Sequence, residues 1–414
     1  MNYLKFNKLY FDYKVQLFLL FCVFTNIQGY LTNRFVNLWF FNLVDECLII
    51  SIYVLVLFYA IKISYTTVLF VMILPVISIL YGVIINYYNG WSVNWFVVIA
   101  QSFINVKFFI YFIPFYLFSI STEEKVDGVE MYIMNVVFLV SLVGAGLSLV
   151  EPHIFSVAVG VHEIERTRLI GFQFKPNDLA IFLSLYYSVI LFDSKKTWLK
   201  YVLMMLAFCT VIYSTSRTGL FVVIISTMFC FLRLRMLKYL LFFATAIILI
   251  LSYDKIKDSF FITETIRNFS EFFDIERSRY IRFIMLYLGF DIALDNFPIG
   301  VGPGNFGTVL SENSPVYYLI GVSSMSFFEE LKGIYDSNIA SILGEYGFLG
   351  LTFFLYISYR VFKFFAKGNL FYLSLFFSIS IVIALFQPFY SYHVNAINML
   401  LFMLTMKRLI KETV

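Results

Sequence analysis

The sequence predicts an all-α fold: a polytopic transmembrane helix bundle of about 12 spans with one large outward-facing loop. Of the 414 residues, 61% are hydrophobic and only 14% are charged, whereas a soluble domain has about 45–50% apolar and about 25% charged residues. A water-soluble core of this chain length cannot enclose so much apolar surface. The apolar residues also form runs of about 20, the length that crosses a bilayer. Composition therefore excludes a soluble enzyme, a secreted disulfide scaffold and a disordered chain.

Twelve apolar runs are candidate spans, because a chain in lipid must satisfy its backbone amides within its own helices. They cover about 15–33, 40–61, 65–87, 93–119, 130–150, 177–193, 197–215, 218–233, 236–253, 337–359, 369–389 and 394–408. We therefore divide the chain into residues 1–253 with the first nine spans, residues 254–336 as the large loop, and residues 337–414 with the last three spans.

The distribution of Lys and Arg predicts the orientation of these spans. If the N-terminus is cytoplasmic, 17 of the 30 basic residues fall in cytoplasmic segments and five in short loops on the opposite side. Lys and Arg accumulate in the cytoplasmic loops of membrane proteins. We therefore expect both termini in the cytoplasm and the long loop outside.

The long loop is expected to contain one helix with an apolar face, from Ser278 to Phe297. Its apolar residues recur at helical spacing: Ile281, Ile284, Met285, Leu288 and Ile292. Such a helix lies on the membrane surface or on the bundle. Pro298 and the glycine run 300–304 then turn the chain. This run is not a Walker A phosphate loop, because Thr308 stands where that motif needs Lys.

Arginines near the outer ends of the predicted spans are the main candidates for chemistry. Arg168 precedes the sixth span, Arg217 lies between the seventh and eighth, and Arg277, Arg279 and Arg282 open the loop helix. Each of them could simply extend toward lipid headgroups. As a set, guanidinium groups that converge can hold a diphosphate, because each binds phosphate oxygens in bidentate fashion.

Two further features are a charge within a span and a pair of histidines. Lys107 lies inside the fourth predicted span, and charges in the membrane interior are commonly functional. His153 and His162 share one predicted outer loop with several glutamates, but no ligand pair has the spacing of a helical zinc site. We therefore expect no metal and no other cofactor.

Four short blocks, taken in order, resemble the O-antigen polymerase and O-antigen ligase superfamily. The first runs from Arg168 to Ala180, with the sequence RLIGFQFKPNDLA. The others are 214–219, 279–306 and 336–350. Together they cover about residues 165–355, while the first third of the chain is similar only in hydropathy.

The resemblance implies a metal-independent membrane glycosyltransferase on the outer face of the bacterial inner membrane. A polymerase of this family transfers the growing glycan from undecaprenyl diphosphate onto the non-reducing end of a lipid-linked repeat unit. A ligase transfers it to the lipid A core in lipopolysaccharide biosynthesis. Family ligases carry His where this chain has Asp336, so we favour the polymerase. The implied partners are the undecaprenyl-diphosphate-linked oligosaccharide, membrane lipids and a chain-length regulator protein, with no nucleic acid.

A different class, a flippase or other transporter of lipid-linked repeat units, stays open. Transporters place ionisable groups near the bilayer midplane and commonly have repeated halves. Here the candidate groups cluster at the outer mouth, and no repeat is visible in the sequence.

The resemblance and the residue chemistry together assign the expected site. The catalytic candidates are Asp336, Arg217 and Arg279, and the substrate-binding candidates are Arg168, Arg282, Asn177 and Asn338. The arginines would stabilise charge on the leaving diphosphate, and Asp336 would orient or deprotonate the acceptor hydroxyl. The alternative for Asp336 is a purely structural role as the N-cap of the tenth span.

Overall fold

The structure, a computed structural model, describes residues 13–34, 44–59, 66–91, 94–122, 128–151, 156–161, 164–173, 175–194, 197–233, 281–311, 314–322, 328 and 334–413. Within these residues the chain is almost wholly helical, with one pair of short strands. The predicted ninth span, 236–253, lies outside them, and so does Arg279.

Each of the other predicted spans corresponds to one helix or to a bent pair of helices. The first half of the chain contains α1 (Tyr13–Arg34), α2 (Val44–Tyr59), α3 (Thr66–Tyr88), α4 (Trp95–Asn105), α5 (Lys107–Thr122), α6 (Val129–Val150), α7 (Pro176–Phe192), α8 (Trp198–Tyr213) and α9 (Arg217–Arg233). The loop contains α10 (Ile281–Asp295), a short 3-10 helix (Val309–Ser311) and α11 (Pro315–Leu319). The last three helices are α12 (Asn338–Ala366), α13 (Leu370–Phe386) and α14 (His393–Thr413).

Among the described residues, four helices are individually long and apolar enough to cross a membrane. A fifth span results if the bent pair α4–α5 counts as one. Three other apolar helices, α7, α8 and α13, have only 16 or 17 residues. These helices indicate an integral membrane protein, while the count of twelve spans stays a prediction.

The bundle is built around α14. Every residue of this helix from His393 to Lys407 is buried, and the helix packs against α5, α6, α7 and α12. The helix is therefore interior to the bundle even though it also buries polar side chains, among them Asn395, Asn398 and Lys407. By contrast, α3 exposes one face, which carries Leu69, Ile73, Ile77 and Ile84. A continuous apolar stripe of this kind suits contact with lipid tails.

The fourth predicted span is bent by 46° between α4 and α5. The break occurs at Val106, whose φ of −107° and ψ of 9° are not helical. The next residue, Lys107, is 4% exposed, and its Nζ lies 3.2 Å from Oε1 of Glu46 on α2. Charges inside a bundle are commonly paired in this way. The ion pair with Glu46 gives Lys107 a structural role. The sequence predicted it only as a functional candidate.

Two strands between α6 and α7 were not predicted from the sequence. They are β1 (Ser156–Val161) and β2 (Ile164–Leu169), which pair antiparallel with Val157 opposite Arg168. The all-α prediction is therefore correct for the helices but missed this hairpin. Its backbone pairing fixes the position from which the Arg168 side chain extends.

The loop helix α10 lies on the bundle, which was one of its two expected positions. Its apolar residues Ile284, Met285, Leu288 and Ile292 are buried, and it packs along α12. A Cβ atom added at Gly289 would lie 2.6 Å from the carbonyl oxygen of Ala340. The two backbones approach this closely because position 289 has no side chain.

The glycine run packs against a kink in α12. The kink lies at Gly347, whose φ of 64° and ψ of −163° break the helical path. The N–H groups of Val301 and Gly302 donate to the carbonyl oxygens of Gly344 and Glu345, at 2.9 and 2.8 Å. These two donors serve the fold, whereas a phosphate loop leaves its N–H groups for a ligand.

The Glu345 side chain joins three elements at this kink. It is fully buried and accepts hydrogen bonds from the Gly304 N–H at 2.5 Å and the Thr308 hydroxyl at 3.3 Å. Its other oxygen accepts from Nδ2 of Asn105 on α4 at 2.6 Å. A buried carboxylate needs such donors to offset its lost hydration, so this contact network fixes α4, the glycine run and α12 together.

Candidate functional site

The candidate site lies where α7, α10 and α12 begin. Asp336, two residues before α12, accepts a hydrogen bond from Arg282 on α10, with 2.8 Å between Nη2 and Oδ2. The other carboxylate oxygen lies 3.9 Å from Nζ of Lys175, which directly precedes α7. The side chains of Asp336 and Arg282 are 18% and 20% exposed, and that of Lys175 is 40% exposed. One carboxylate is thus held between two cations in a partly buried position.

Arg168 extends from the end of β2 across the turn between α8 and α9. Its Nε donates to the Ser214 carbonyl at 3.2 Å, and its Nη2 donates to the Thr215 carbonyl at 3.3 Å and to Oδ1 of Asn177 at 3.2 Å. The structure therefore brings together two of the predicted binding residues, Arg168 and Asn177, and fixes the orientation of the guanidinium plane.

The charge environment of Arg168 connects it with the other arginines. Burial lowers the pKa of Arg168 to about 10, and the positive charges of Arg282 and Arg217 act in the same direction. At neutral pH the group stays charged. Because the charges of Arg282 and Arg217 both lower the pKa of Arg168, these three of the four arginines of the predicted site are close enough to interact electrostatically. An anionic ligand at this place would relieve their mutual repulsion.

Arg217 is the first residue of α9 and follows a strained turn. Thr215 in this turn has a φ of 53°, which is uncommon for any residue except glycine and is an outlier for a β-branched one. The two carbonyls that Arg168 contacts belong to this same turn. Strained backbone of this kind concentrates at functional sites, and here it fixes the point at which Arg217 leaves the chain.

Asn338 has bonding partners at both ends of its amide. Its Oδ1 accepts from the Tyr390 N–H at 2.5 Å, and its Nδ2 donates to the Ser391 hydroxyl at 3.2 Å. The residue is 2% exposed. These bonds fix the start of α12 against the turn between α13 and α14. A contact between Asn338 and substrate stays a prediction.

The N-cap alternative for Asp336 is wrong. The residue that caps α12 is Ser337, whose Oγ accepts the Ala340 N–H at 3.4 Å. Asp336 lies one position earlier, where its carboxylate contacts Arg282 and Lys175 instead. The sequence placed Asp336 at the correct helix end. It could not decide whether Asp336 or Ser337 is the N-cap, because Asp and Ser cap helices about equally well.

Three residues of this region were not predicted: Lys175, Asp178 and Tyr392. Asp178, at the third position of α7, is fully buried and accepts from the Lys175 N–H and from the Tyr392 hydroxyl, both at 3.1 Å. The sequence Lys-Pro-Asn-Asp at 175–178 carries a helix-start signal, because Pro is favoured at the first helical position. That signal predicts the start of α7 but not the approach of Tyr392, which directly precedes α14.

Within the described part of the chain, no group of three or more His, Cys, Asp or Glu side chains has an arrangement that could hold a metal ion. The two histidines of the predicted outer loop, His153 and His162, lie outside that part.

Residues 202–355 match the model of the family described as O-antigen ligase. The matched segment includes Arg217, Arg282, Asp336 and Asn338, while Arg168 and Asn177 precede it. No curated protein sequence matches the chain. The family match confirms the resemblance to the O-antigen polymerase and ligase superfamily. Its members are membrane glycosyltransferase-like enzymes that act on lipid-linked oligosaccharides.

Proposed function

Because residues 202–355 relate the chain to this superfamily, we propose that the protein is an O-antigen polymerase. It transfers the growing glycan from undecaprenyl diphosphate onto the non-reducing end of a lipid-linked repeat unit. The observation that carries the proposal is the arrangement around Asp336: one carboxylate between Arg282 and Lys175, with Arg168 close enough to Arg282 for their charges to interact.

The role of the cations in this proposal is to stabilise the leaving diphosphate. The bond between the donor sugar and undecaprenyl diphosphate breaks, and negative charge develops on the diphosphate. Positioned guanidinium groups stabilise such charge without reorganising at the moment of reaction. Arg168 is already oriented by three hydrogen bonds. The positive charges of Arg217 and Arg282 are close enough to interact with it. Arg279, three residues before Arg282 in the sequence, is proposed to join them.

The role of the Asp336 carboxylate in this proposal is to accept the proton of the acceptor hydroxyl. The acceptor hydroxyl attacks the anomeric carbon of the donor sugar and loses its proton to Asp336 while the new glycosidic bond forms. A carboxylate in hydrogen-bond reach is suited to this general-base role. When the diphosphate enters, it competes for Arg282, which frees an oxygen of Asp336 for the hydroxyl. Asn177 and Asn338 are proposed to contact the glycan or the diphosphate.

Asp336 also favours the polymerase over the ligase. The ligases that the chain resembles carry His at this place, so a carboxylate marks a departure from their chemistry. The proposal also includes the location, orientation, domain division and partner that the sequence predicts. They are the bacterial inner membrane, cytoplasmic termini, a site facing the periplasm, the three-part division at residues 253 and 336, and a chain-length regulator as partner.

The test is Asp336→Asn in a strain that lacks the chromosomal copy. Asparagine can still accept a hydrogen bond from Arg282 but cannot take a proton at neutral pH, and Ser337 still caps α12. We expect normal membrane insertion and lipid A core that carries only single repeat units on a lipopolysaccharide gel. The matched control is Asp295→Asn, which neutralises an exposed carboxylate at the end of α10 and should keep long chains.

The same strains separate the alternatives. Wild-type chain length with Asp336→Asn would remove the proposed base. Full deletion should leave core capped with single repeats. A bare core after deletion would instead indicate the ligase, and a failure to export repeat units would indicate the flippase.

A further inference from the structure

The loop helix α10 carries a second apolar face, which the bundle leaves uncovered. Its residues are 47% to 69% exposed: Tyr287, Phe290, Leu294 and, two residues after the helix end, Phe297. They recur at spacings of three and four and therefore share one side of the helix. None of them belongs to the face that packs on α12. We call these four residues the exposed stripe, and exposed apolar patches of this kind mark a contact with a partner or a membrane.

A polar edge borders the exposed stripe. Asp291 and Asp295 are both exposed and lie four residues apart, which places them on one side of the helix. Each directly follows a stripe residue in the sequence, so the two carboxylates lie beside the stripe rather than opposite to it. The helix thus presents one side to the bundle, and an apolar side with an acidic edge to its surroundings. This division is typical of helices that lie in the interfacial layer of a bilayer.

The exposed stripe is continuous with an apolar surface of α12. The ring of Phe348 on α12 lies 5.6 Å from that of Phe290 and 6.0 Å from that of Phe297, between centroids. Helix α12 is one of the four described helices that are long and apolar enough to cross a membrane. Directly after Phe348 it exposes apolar residues of its own: Leu349, Leu355, Tyr356 and Tyr359. The surface that faces lipid on α12 therefore extends onto α10.

The kink in α12 indicates the level at which α10 lies. The part after the kink, from Phe348 to Ala366, has 19 residues and is about 28 Å long, close to the hydrocarbon thickness of about 30 Å. The part before the kink carries the contacts with α10, among them the ion pair of Arg282 with Asp336. The loop helix therefore packs beyond the end of the crossing part, with its stripe at the edge of the hydrocarbon layer.

The turn between α3 and α4 indicates the same level independently. Tyr88, Trp95 and Phe96 in this region are 84%, 58% and 74% exposed, and aromatic residues with a polar atom, Tyr and Trp, are enriched where a membrane meets water. The glycine run that directly follows α10 is bonded here, because Nδ2 of Asn305 donates to Oδ1 of Asn86 at 3.3 Å. The end of α10 is thus attached to a helix end with interfacial aromatic residues.

We propose that the exposed stripe of α10 binds the lipid surface of the membrane. Interfacial helices lie in the membrane plane with their apolar face inserted about 5–10 Å into the boundary of headgroups and acyl chains. Asp291 and Asp295 then face the water of the headgroup layer. Arg282, in the first turn of α10, lies at the level of the lipid phosphates. The proposal concerns the placement of this helix and holds whether or not the chain is a polymerase.

The experiment measures the depth of single nitroxide labels in the full chain, purified and reconstituted in phosphatidylcholine vesicles. The four native cysteines are replaced by Ala, and the label is attached to Tyr287→Cys or Leu294→Cys in the stripe. Ile77→Cys, on the exposed side of α3, is the control for lipid. Asp295→Cys, on the polar edge beside Leu294, is the control for water. Collision rates with oxygen, which concentrates in hydrocarbon, and with a neutral nickel chelate, which stays in water, give the depth of each label.

We expect the labels at positions 287 and 294 about 5–10 Å below the lipid phosphates, the label at 77 deeper, and the label at 295 at or above the phosphates. A helix surrounded by water would show no such difference between the adjacent positions 294 and 295. Equal access of the nickel chelate to these two positions therefore overturns the proposal. Low access of both reagents to 287 and 294 also overturns it, because protein then covers the stripe. In that case dipolar broadening between labels identifies a second copy of the chain, and its absence identifies another part of the same chain.

Discussion

Glu345 provides a quantitative test of how the site is held in place. Its carboxylate accepts hydrogen bonds from three donors, the Gly304 N–H, the Thr308 hydroxyl and the Asn105 amide. Replacement by Ala would leave these donors without their acceptor in a position that is fully buried. Each unsatisfied buried donor costs about 1–3 kcal/mol. Glu345→Ala should therefore lower the free energy of unfolding by at least about 3 kcal/mol.

Glu345→Gln should lower the free energy of unfolding much less, because the side-chain amides of Asn105 and Gln101 can reorient to bond with the new amide. The amide oxygen of the new side chain would keep the Gly304 and Thr308 donors, while its NH2 group would face Asn105. If Asn105 turned over, its oxygen would accept from this NH2 group, and its own NH2 group would face Gln101. Among the described residues the buried Gln101 oxygen has no hydrogen-bond partner. Gln101 can therefore turn over and accept, which leaves its NH2 group in the position where the oxygen had been. We expect a loss of about 1 kcal/mol, the usual net value of one hydrogen bond.

The assay is equilibrium unfolding of the purified protein in mixed micelles by titration with SDS, followed by circular dichroism. Glu151→Ala is the control, since this glutamate is exposed after the end of α6 and its loss should change stability by less than about 0.5 kcal/mol. A Glu345→Ala protein within about 1 kcal/mol of wild type would refute the network. An equally large loss in Glu345→Gln would refute the amide chain.

Two other predictions concern topology and packing. Topology reporters fused after Lys196, Arg235 and Lys363 should report the cytoplasm and those within 255–330 the outside, and a cytoplasmic result for the loop would overturn the orientation. Gly289→Ala should destabilise the protein by about 1–3 kcal/mol, because its Cβ would meet the Ala340 carbonyl oxygen at 2.6 Å. Gly146→Ala on α6, where a Cβ would meet no described atom within 4 Å, should not destabilise the protein in the same SDS titration. Equal losses in both variants would contradict the close contact of α10 and α12.

Helix positions could be predicted well because each apolar run must hold its own backbone hydrogen bonds in lipid. The run 130–150 and the helix Val129–Val150 differ by one residue at the start. The bend between α4 and α5 could not be predicted in this way. Asn105 and Lys107 on either side of Val106 are polar, but the apolar residues before and after them continue as one run of span length. Likewise α12 extends to Ala366 rather than to 359, because Arg360 and Lys363 ended the predicted span although the residues between and after them are apolar.

The site was predictable only as far as residue type reveals it. Permanent charge identified Arg168, Arg217 and Arg282 as candidates, and the helix start identified the neighbourhood of Asp336. Tyr392 carries no such signal, and the charge of Lys175 did not distinguish it from the other lysines. Both enter the site only through the approach of α7 and α14. For the glycine run, the sequence already excluded a Walker A loop, but it gave no sign that Gly302 and Gly304 would donate to Glu345 in the folded chain.

The first ten residues of α12 explain why the position of Asp336 depends on distant parts of the chain. Asn338 is bonded to the turn between α13 and α14, Ala340 touches α10 at Gly289, and Glu345 is bonded to α4 and the glycine run. Four separate contacts thus fix one helix end. Since a general base must lie within hydrogen-bond reach of its proton, a shift of about 1 Å in α12 would disturb the proton transfer proposed for Asp336. The polar groups buried around α12 therefore hold the proposed base in place through contacts within the protein.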